Sequence, residues 1–278
     1  MAEKPILALK HFSKQYGSGC DHCRDNRQEL TKNICPFCQT VYAVDDVSLD
    51  LYKGEILGIV GESGSGKSTV LGSLYFNVEA SEGEYQLNVP QSQPLNLFEA
   101  SQQKKTRIRN TMLGMVYQNP MLGLRMKYSA LSNIAEKMIA ANHRNVEAMV
   151  ERSRQLLDVV DIATIRMKEA PVNFSGGMQQ RVQIAKALSN NPPVLLLDEI
   201  TTGLDLSVQA DVLDLIKTIQ RELSISMIVV SHDLAVIRMI ADRTIVMVNG
   251  RIIESGLTDQ ILEDPQHPYT QKLVYSLL

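Results

Sequence analysis

The chain has 278 residues, of which 44% are hydrophobic and 21% charged, and its formal net charge is −3. This balance is typical of a globular protein with one large domain or two ordinary ones, and it argues against non-specific nucleic-acid binding. No apolar run approaches the roughly 20 residues that span a bilayer, and the first residues lack a secretory signal. We therefore predict a cytoplasmic protein whose own chain forms no pore.

An apolar strand is predicted over residues 5–16, and a polar, charged block follows it over residues 17–40. The block contains the pattern C-x2-C-x11-C-x2-C, formed by Cys20, Cys23, Cys35 and Cys38. Each pair bends the chain so that both thiolates face one point, and two pairs make a tetrahedral sulfur site. In a reducing compartment such a cluster indicates metal binding rather than disulfides. We predict structural Zn²⁺ in this insertion, with an iron–sulfur centre, or free or redox thiols, as the alternatives.

The next segments predict a phosphate-binding loop. Residues 41–51 alternate like a half-buried strand, and the apolar run 56–60 predicts a fully buried one. The residues that follow match G-x-x-x-x-G-K-[ST] and open a helix whose positive dipole end faces the same anion as the loop N–H groups. Lys67 supplies charge for the β- and γ-phosphates, and the Ser68 hydroxyl is placed to ligate Mg²⁺. The predicted nucleotide-binding residues are Gly61, Glu62, Ser63, Gly64, Ser65, Gly66, Lys67, Ser68 and Thr69.

The middle of the chain changes to helical periodicity. Residues 81–98 predict short strands and loops, and residues 111–117 predict another buried strand. We assign a helical subdomain to residues 121–190. Within it, Ser175-Gly176-Gly177-Met178-Gln179 has a serine in the N-cap position of a helix, which makes a second anion-binding helix start.

Residues 193–199 predict a strand that ends in Asp198 and Glu199. The carboxyl ends of parallel strands are where α/β sheets bind ligands. From there Asp198 can hold Mg²⁺, and Glu199 can accept a proton from an attacking water, so we assign it as the general base.

Four further segments are predicted after that strand: a helix over 206–223, a strand over 226–230, an Asn-Gly hairpin over 245–254, and a tail over 255–278 with a short amphipathic helix.

Together these motifs resemble the ATP-binding subunits of ABC-type ATPases over almost all of residues 1–278. The resemblance implies an α/β fold of the P-loop NTPase type, with a RecA-like core sheet, an antiparallel β subdomain and an inserted helical subdomain. It also implies a homodimer, or a dimer with a related ABC subunit, in which each ATP lies between one subunit's phosphate loop and the other's signature helix. The residues matched to that signature for nucleotide binding are Ser175, Gly176, Gly177 and Gln179.

The same resemblance implies roles for single residues. Gln118 matches the Q-loop glutamine that senses Mg²⁺ and the attacking water, and His232 matches the switch histidine that contacts the γ-phosphate. Asp205 lies in the matched D-loop, and Tyr16 matches the aromatic residue that stacks on adenine. Because the cysteine block separates Tyr16 from the next strand, stacking on Tyr42 is the alternative. The implied catalytic residues are Glu199, His232 and Gln118, and the implied Mg²⁺ ligands are Ser68, Gln118 and Asp198. The family usually has proline after the catalytic glutamate, and this chain has Ile200.

Two finer resemblances remain open. Residues 117–125, 174–181, 203–210 and 254–259 are similar to the ATP-binding proteins of bacterial carbon–phosphorus lyase systems, the PhnK type. That type implies a soluble partner, the lyase core complex, which ATP hydrolysis remodels during phosphonate breakdown. Peptide-importer ATPases are similar too and share His-Pro-Tyr-Thr, as at residues 267–270; they imply the motor of a peptide or nickel importer docked on a membrane permease. The mixed charges of the cysteine block lack a basic footprint, so we expect no nucleic-acid partner.

Overall fold

The computed structural model describes residues 4–25, 30–88 and 95–275. Parts of three sequence predictions lie outside these ranges: residues 26–29 of the cysteine block, 89–94 of the segment 81–98, and 276–278 of the tail. The chain divides into two compact units, one formed by Met1–Ala100 with Val230–Leu278 and the other by Ser101–Val229.

The described strands, in chain order, are β1 Leu7–Tyr16, β2 Val41–Leu51, β3 Ile56–Val60, β4 Glu82–Leu87, β5 Leu113–Val116, β6 Val194–Asp198, β7 Ser226–Ser231, β8 Arg243–Val248 and β9 Arg251–Leu257. The described α-helices are α1 Asp21–Asp25, α2 Lys67–Leu74, α3 Gln102–Thr111, α4 Pro120–Gly123, α5 Ala130–Ala140, α6 Val146–Val159, α7 Gly176–Leu188, α8 Leu206–Leu223, α9 Leu234–Ile240, α10 Thr258–Glu263 and α11 Pro268–Tyr275. None of these described helices is long and apolar enough to cross a membrane.

An antiparallel sheet in the first unit carries the cysteine block. Its strand order is β2-β1-β4, and Tyr16 pairs with Val41 at the end where β1 and β2 meet. The block is therefore an insertion at a hairpin, as the sequence predicts. In β2 the side chains of Val47, Leu49 and Leu51 are buried, which confirms the predicted alternation.

The buried strand β3 precedes the phosphate loop in the same unit. It pairs in parallel with β8, and β8 pairs antiparallel with β9. The turn between β8 and β9 is Asn249-Gly250, with φ of 47° and 74° at the two residues. Two successive positive φ angles define the tight hairpin turn that the Asn-Gly pair predicts.

The second unit contains the strand that ends in the predicted acidic pair. Strands β5, β6 and β7 are neighbours in that order, and β5 runs parallel to β6. Helix α7 packs against α5 and β5. Helix α3 is absent from the sequence predictions because none of its residues is buried, so it lacks an apolar period. The signal that it does carry is Ser101, whose hydroxyl accepts a hydrogen bond from Lys104 N and caps the helix.

Candidate nucleotide site and cysteine cluster

The phosphate loop (residues 61–69) holds a buried lysine at the start of α2. Lys67 is 4% exposed, and its Nζ donates to the Gly61 carbonyl at 2.7 Å and the Glu62 carbonyl at 2.9 Å. Gly66, at the N-cap, has φ of 101°, and a Cβ there would collide with the Ala43 carbonyl. The loop therefore needs glycine at this position, and it presents a fixed ammonium group beside a positive helix terminus.

The structure distinguishes between the two tyrosines considered for adenine. Tyr16 is 47% exposed, with Lys14 Nζ 4.9 Å from its ring centroid. Tyr42 is 3% exposed, and its hydroxyl donates to Cys23 Sγ at 3.3 Å. Stacking of adenine on Tyr42 is therefore wrong, because that ring is enclosed beside the cysteines, and Tyr16 is the candidate.

His232 follows the last residue of β7 in the first unit and is exposed. The next residue, Asp233, caps α9 by accepting a hydrogen bond from Ala235 N at 2.8 Å. The cap fixes the turn in which His232 sits.

In the second unit, two predicted catalytic side chains meet. Gln118 Nε2 donates to Glu199 Oε2 at 3.0 Å, and Thr202 Oγ1 lies 3.4 Å from the same oxygen. Glu199 has φ of 44°, in the left-handed region that a non-glycine residue seldom adopts. Asp198 is half-buried at the end of β6, and Ile200 is buried. The Glu199 backbone is thus strained, and the position of its carboxylate is fixed by a hydrogen bond from the Gln118 amide.

The signature turn (residues 171–179) is held together by its own side chains. Ser175 Oγ accepts from Met178 N at 3.3 Å and caps α7. Gln179 Nε2 donates to the carbonyls of Pro171 and Phe174, at 3.0 Å each. Gln179 therefore maintains the turn. Gly176 and Gly177 begin α7, and Asp205 is exposed at the start of α8.

Two residues of α7 that sequence reasoning missed connect this helix to the Q-loop segment. Gln183, 1% exposed, accepts from Tyr117 N at 2.7 Å and donates to the Tyr117 carbonyl at 3.1 Å. Lys186 Nζ donates to the Gly123 carbonyl at 2.8 Å. The helix that begins at the signature turn therefore holds the chain on both sides of Gln118. The available signal was a polar residue on the apolar face of α7, one turn after Gln179.

The four cysteines converge on one point in the first unit. Their sulfur atoms all lie within 4.8 Å of one another, and none of these four cysteines forms a disulfide. Neighbouring sulfur atoms are separated by 3.8 Å (Cys20 to Cys23), 3.7 Å (Cys20 to Cys35) and 3.7 Å (Cys23 to Cys38). Sulfurs about 2.3 Å from a tetrahedral Zn²⁺ are about 3.8 Å apart, so the cluster fits one ion of this size. It leaves no space for a centre of several iron and sulfide atoms.

The charges in the cluster also favour a cation. A hydrogen bond with Thr40 lowers the pKa of Cys38 to about 6, and the Tyr42 hydroxyl lowers the pKa of Cys23. At Cys20 the backbone hydrogen bond with Cys23 lowers the pKa, but burial and the other thiols outweigh it and raise the pKa to about 11. The hydrogen bonds at Cys38 and Cys23 thus favour the thiolate, which is the form of cysteine that binds a metal ion, whereas the surroundings of Cys20 oppose it.

Comparison with known protein families matches residues 44–202 to the family described as ABC transporter. The chain belongs to this family. The match begins at Val44, after the cysteine block, so the cluster lies outside the matched part of this ABC protein.

This ABC ATPase is similar to relatives of two kinds. It is 45% identical to the phosphonates utilization ATP-binding protein PhnK of Escherichia coli, over 84% of this chain and 90% of that protein. It is 41% identical to the glutathione import ATP-binding protein GsiA of Salmonella choleraesuis, over 85% of this chain but 39% of that protein. It is 38% identical to the oligopeptide transport ATP-binding protein OppD of Bacillus subtilis, over 85% of this chain and 67% of that one.

Among solved structures, the chain is similar to the dimeric ATP-binding cassette MJ0796 bound to ADP and Pi. The TM-score is 0.75 at 28% identity, covering 91% of this chain and 99% of that one. The predicted ABC ATPase fold is confirmed by this likeness.

Proposed function

We propose that this ABC ATPase binds MgATP between two ABC subunits and that hydrolysis remodels the carbon–phosphorus lyase core complex during phosphonate breakdown, in the cytoplasm. The observation that carries the proposal is the 45% identity with PhnK over 90% of that protein. The glutathione and oligopeptide import relatives support the competing function, a motor that drives a peptide or nickel importer. The partner of the dimer is a second copy of this chain or a related ABC subunit.

The chemistry we propose is attack of water on the γ-phosphorus, with release of ADP and phosphate. Glu199 accepts the proton of the water, and the amide of Gln118, 3.0 Å from that carboxylate, orients both. His232 contacts the γ-phosphate, and Lys67 neutralises the β- and γ-phosphates. When bound, Mg²⁺ offsets the negative charge that develops on the phosphate oxygens, and its proposed ligands are Ser68, Gln118 and Asp198.

The remaining proposed contacts bind ATP without taking part in the chemistry. Tyr16 stacks on adenine, and the loop residues 61–69 surround the phosphates. Across the dimer, the Ser175 hydroxyl and the N–H groups of Gly176 and Gly177 face the same phosphates, with Asp205 nearby. Gln179 contributes indirectly, because its amide holds the signature turn. We keep residues 121–190 as the helical subdomain and 255–278 as the tail of a single ABC domain.

The partner is tested by affinity purification of the tagged full chain from cells grown on a phosphonate as the phosphorus source. We expect subunits of the lyase core complex to co-elute from the soluble fraction. An untagged chain expressed at the same level gives the background. Co-elution with membrane permeases alone would contradict the proposal and support the importer function.

We also propose that the four cysteines hold structural Zn²⁺. Metal analysis of the purified chain is expected to find about one zinc per chain. Cys35→Ser should lose the metal, because Cys35 is a buried member of the cluster. His22→Ala should keep it, since His22 lies between the first two cysteines but is exposed and packs against Phe37, with ring centroids 4.6 Å apart and the rings tilted by 43°. One iron in place of zinc, or a folded chain without metal, would contradict the proposal.

A further inference from the structure

Within the first unit, a set of contacts connects the cysteine cluster to the phosphate loop. We call Asn33, Tyr42, Ala43 and Gly250 the brace. The first contact runs along β2: the Tyr42 hydroxyl donates to Cys23 Sγ at 3.3 Å, and the carbonyl of the next residue, Ala43, packs against Gly66. One end of a dipeptide thus touches a metal-ligand sulfur while the other touches the N-cap of α2.

The second contact runs through the β8–β9 turn. Gly250 N donates to the Ser65 carbonyl at 3.1 Å, inside the phosphate loop, and the Gly250 carbonyl accepts from Asp45 N at 2.9 Å. A Cβ built on Gly250 would lie 2.8 Å from Asn33 Nδ2 and 2.9 Å from the Ala43 carbonyl. Asn33 of the cysteine block therefore lies directly against Gly250, whose N–H group binds the Ser65 carbonyl.

The contacts depend on the fold of a block with little core of its own. Among the residues that the structure describes there, the buried group consists of Cys23, Cys35 and Tyr42, with Cys20 and Leu30 packed against it. An apolar group of this size would not offset the entropy of ordering the block, and a bound metal ion would supply the difference. Asn33, at φ of 60°, is also held in a left-handed conformation that the folded block must maintain.

We propose that metal bound by the four cysteines is coupled to nucleotide bound at the phosphate loop through the brace, so that each ligand strengthens the binding of the other. The inference rests on the proposed zinc and nucleotide sites. The folded block fixes the positions of Tyr42 and Asn33, these fix Ala43 and Gly250, and the phosphate loop is then arranged before the nucleotide arrives. Because coupling free energy is reciprocal, the factor by which metal raises the affinity for ATP equals the factor by which ATP raises the affinity for metal.

The test measures zinc transfer from the full chain to a chromogenic zinc indicator, with and without saturating ATP and with Mg²⁺ equal in both. Zinc affinity is obtained from the transfer at equilibrium. We expect ATP to raise it by about fivefold or more, the lower end of ordinary coupling. The reciprocal measurement, ATP affinity of the metal-loaded and metal-stripped chain, should give the same factor.

Variants separate the brace from the two sites that it joins. Tyr42→Phe removes the hydroxyl at Cys23 and keeps the buried ring. Asn33→Gly removes the amide at Gly250 and permits the positive φ. The matched control is Lys32→Gly, because Lys32 has a similar φ of 51° but is exposed. All three should still bind zinc; the first two should lower the coupling factor toward one, and the control should keep it.

The outcomes also separate this inference from the proposals on which it rests. One outcome would overturn the coupling alone: the chain contains about one zinc and binds ATP, but neither ligand changes the affinity for the other. A coupling factor that Tyr42→Phe and Asn33→Gly both leave intact would overturn the brace as its route. A chain that contains no zinc would overturn the metal proposal and the coupling with it.

Discussion

Glu199→Gln is expected to lower steady-state ATP turnover by about 10²–10⁴-fold, the range that a positioned general base contributes. The amide of glutamine has nearly the size of the carboxylate, and its oxygen can still accept the hydrogen bond from Gln118 Nε2. What it cannot do is take a proton from the attacking water. ATP affinity should remain close to that of the wild type, because the change removes a function of the transition state.

The matched control is Glu222→Gln, an exposed glutamate near the end of α8 in the same unit. It removes the same charge without touching the Gln118–Glu199 pair. The turnover of both variants is measured as the rate of phosphate release at saturating MgATP. Unchanged turnover in Glu199→Gln would remove this residue as the base.

Lys67→Ala is expected to weaken ATP binding itself. The ammonium group is buried and held by the Gly61 and Glu62 carbonyls, so the loop contains a positive charge that is kept inside it. Truncating one partner of such a desolvated charge pair costs at least about 2 kcal/mol, which raises the Kd for ATP by about 30-fold.

Binding of a fluorescent ATP analogue measures this effect. Lys53→Ala is the control, because Lys53 is exposed in the turn before β3. Since Lys67 also holds loop carbonyls, a thermal melt must show that the variant is folded at the assay temperature. A folded Lys67→Ala chain with wild-type affinity would contradict the assigned role.

The sequence predicts the fold well where local pattern and tertiary environment agree. β3 is a continuous apolar run because it is buried on both faces, and α8 runs over the predicted residues 206–223 because its apolar residues recur at helical spacing. Helix α3 escapes prediction because its side chains are not buried, so no period marks it. The glycine motif fixed the position of the phosphate loop because few other structures require that spacing.

The candidate site could be predicted as a set of residues but not as a set of contacts. Motifs pointed to Gln118 and Glu199 separately, and neither indicated the 3.0 Å hydrogen bond between them. The burial of Tyr42 depends on where the cysteine block folds, which its own spacing does not specify. Gln183 was missed because a buried amide looks like any polar helical residue until its backbone partner, Tyr117, is known.

The central claim is that the phosphate loop is half of a site that a second ABC subunit completes. The most direct measurement is the solution mass of the Glu199→Gln variant by light scattering, with and without ATP. The variant is measured alone and then mixed with any ABC subunit recovered in the affinity purification. We expect a monomer without ATP and a dimer that forms only when ATP is present. A chain that is saturated with ATP and stays at the monomer mass in both settings would contradict it.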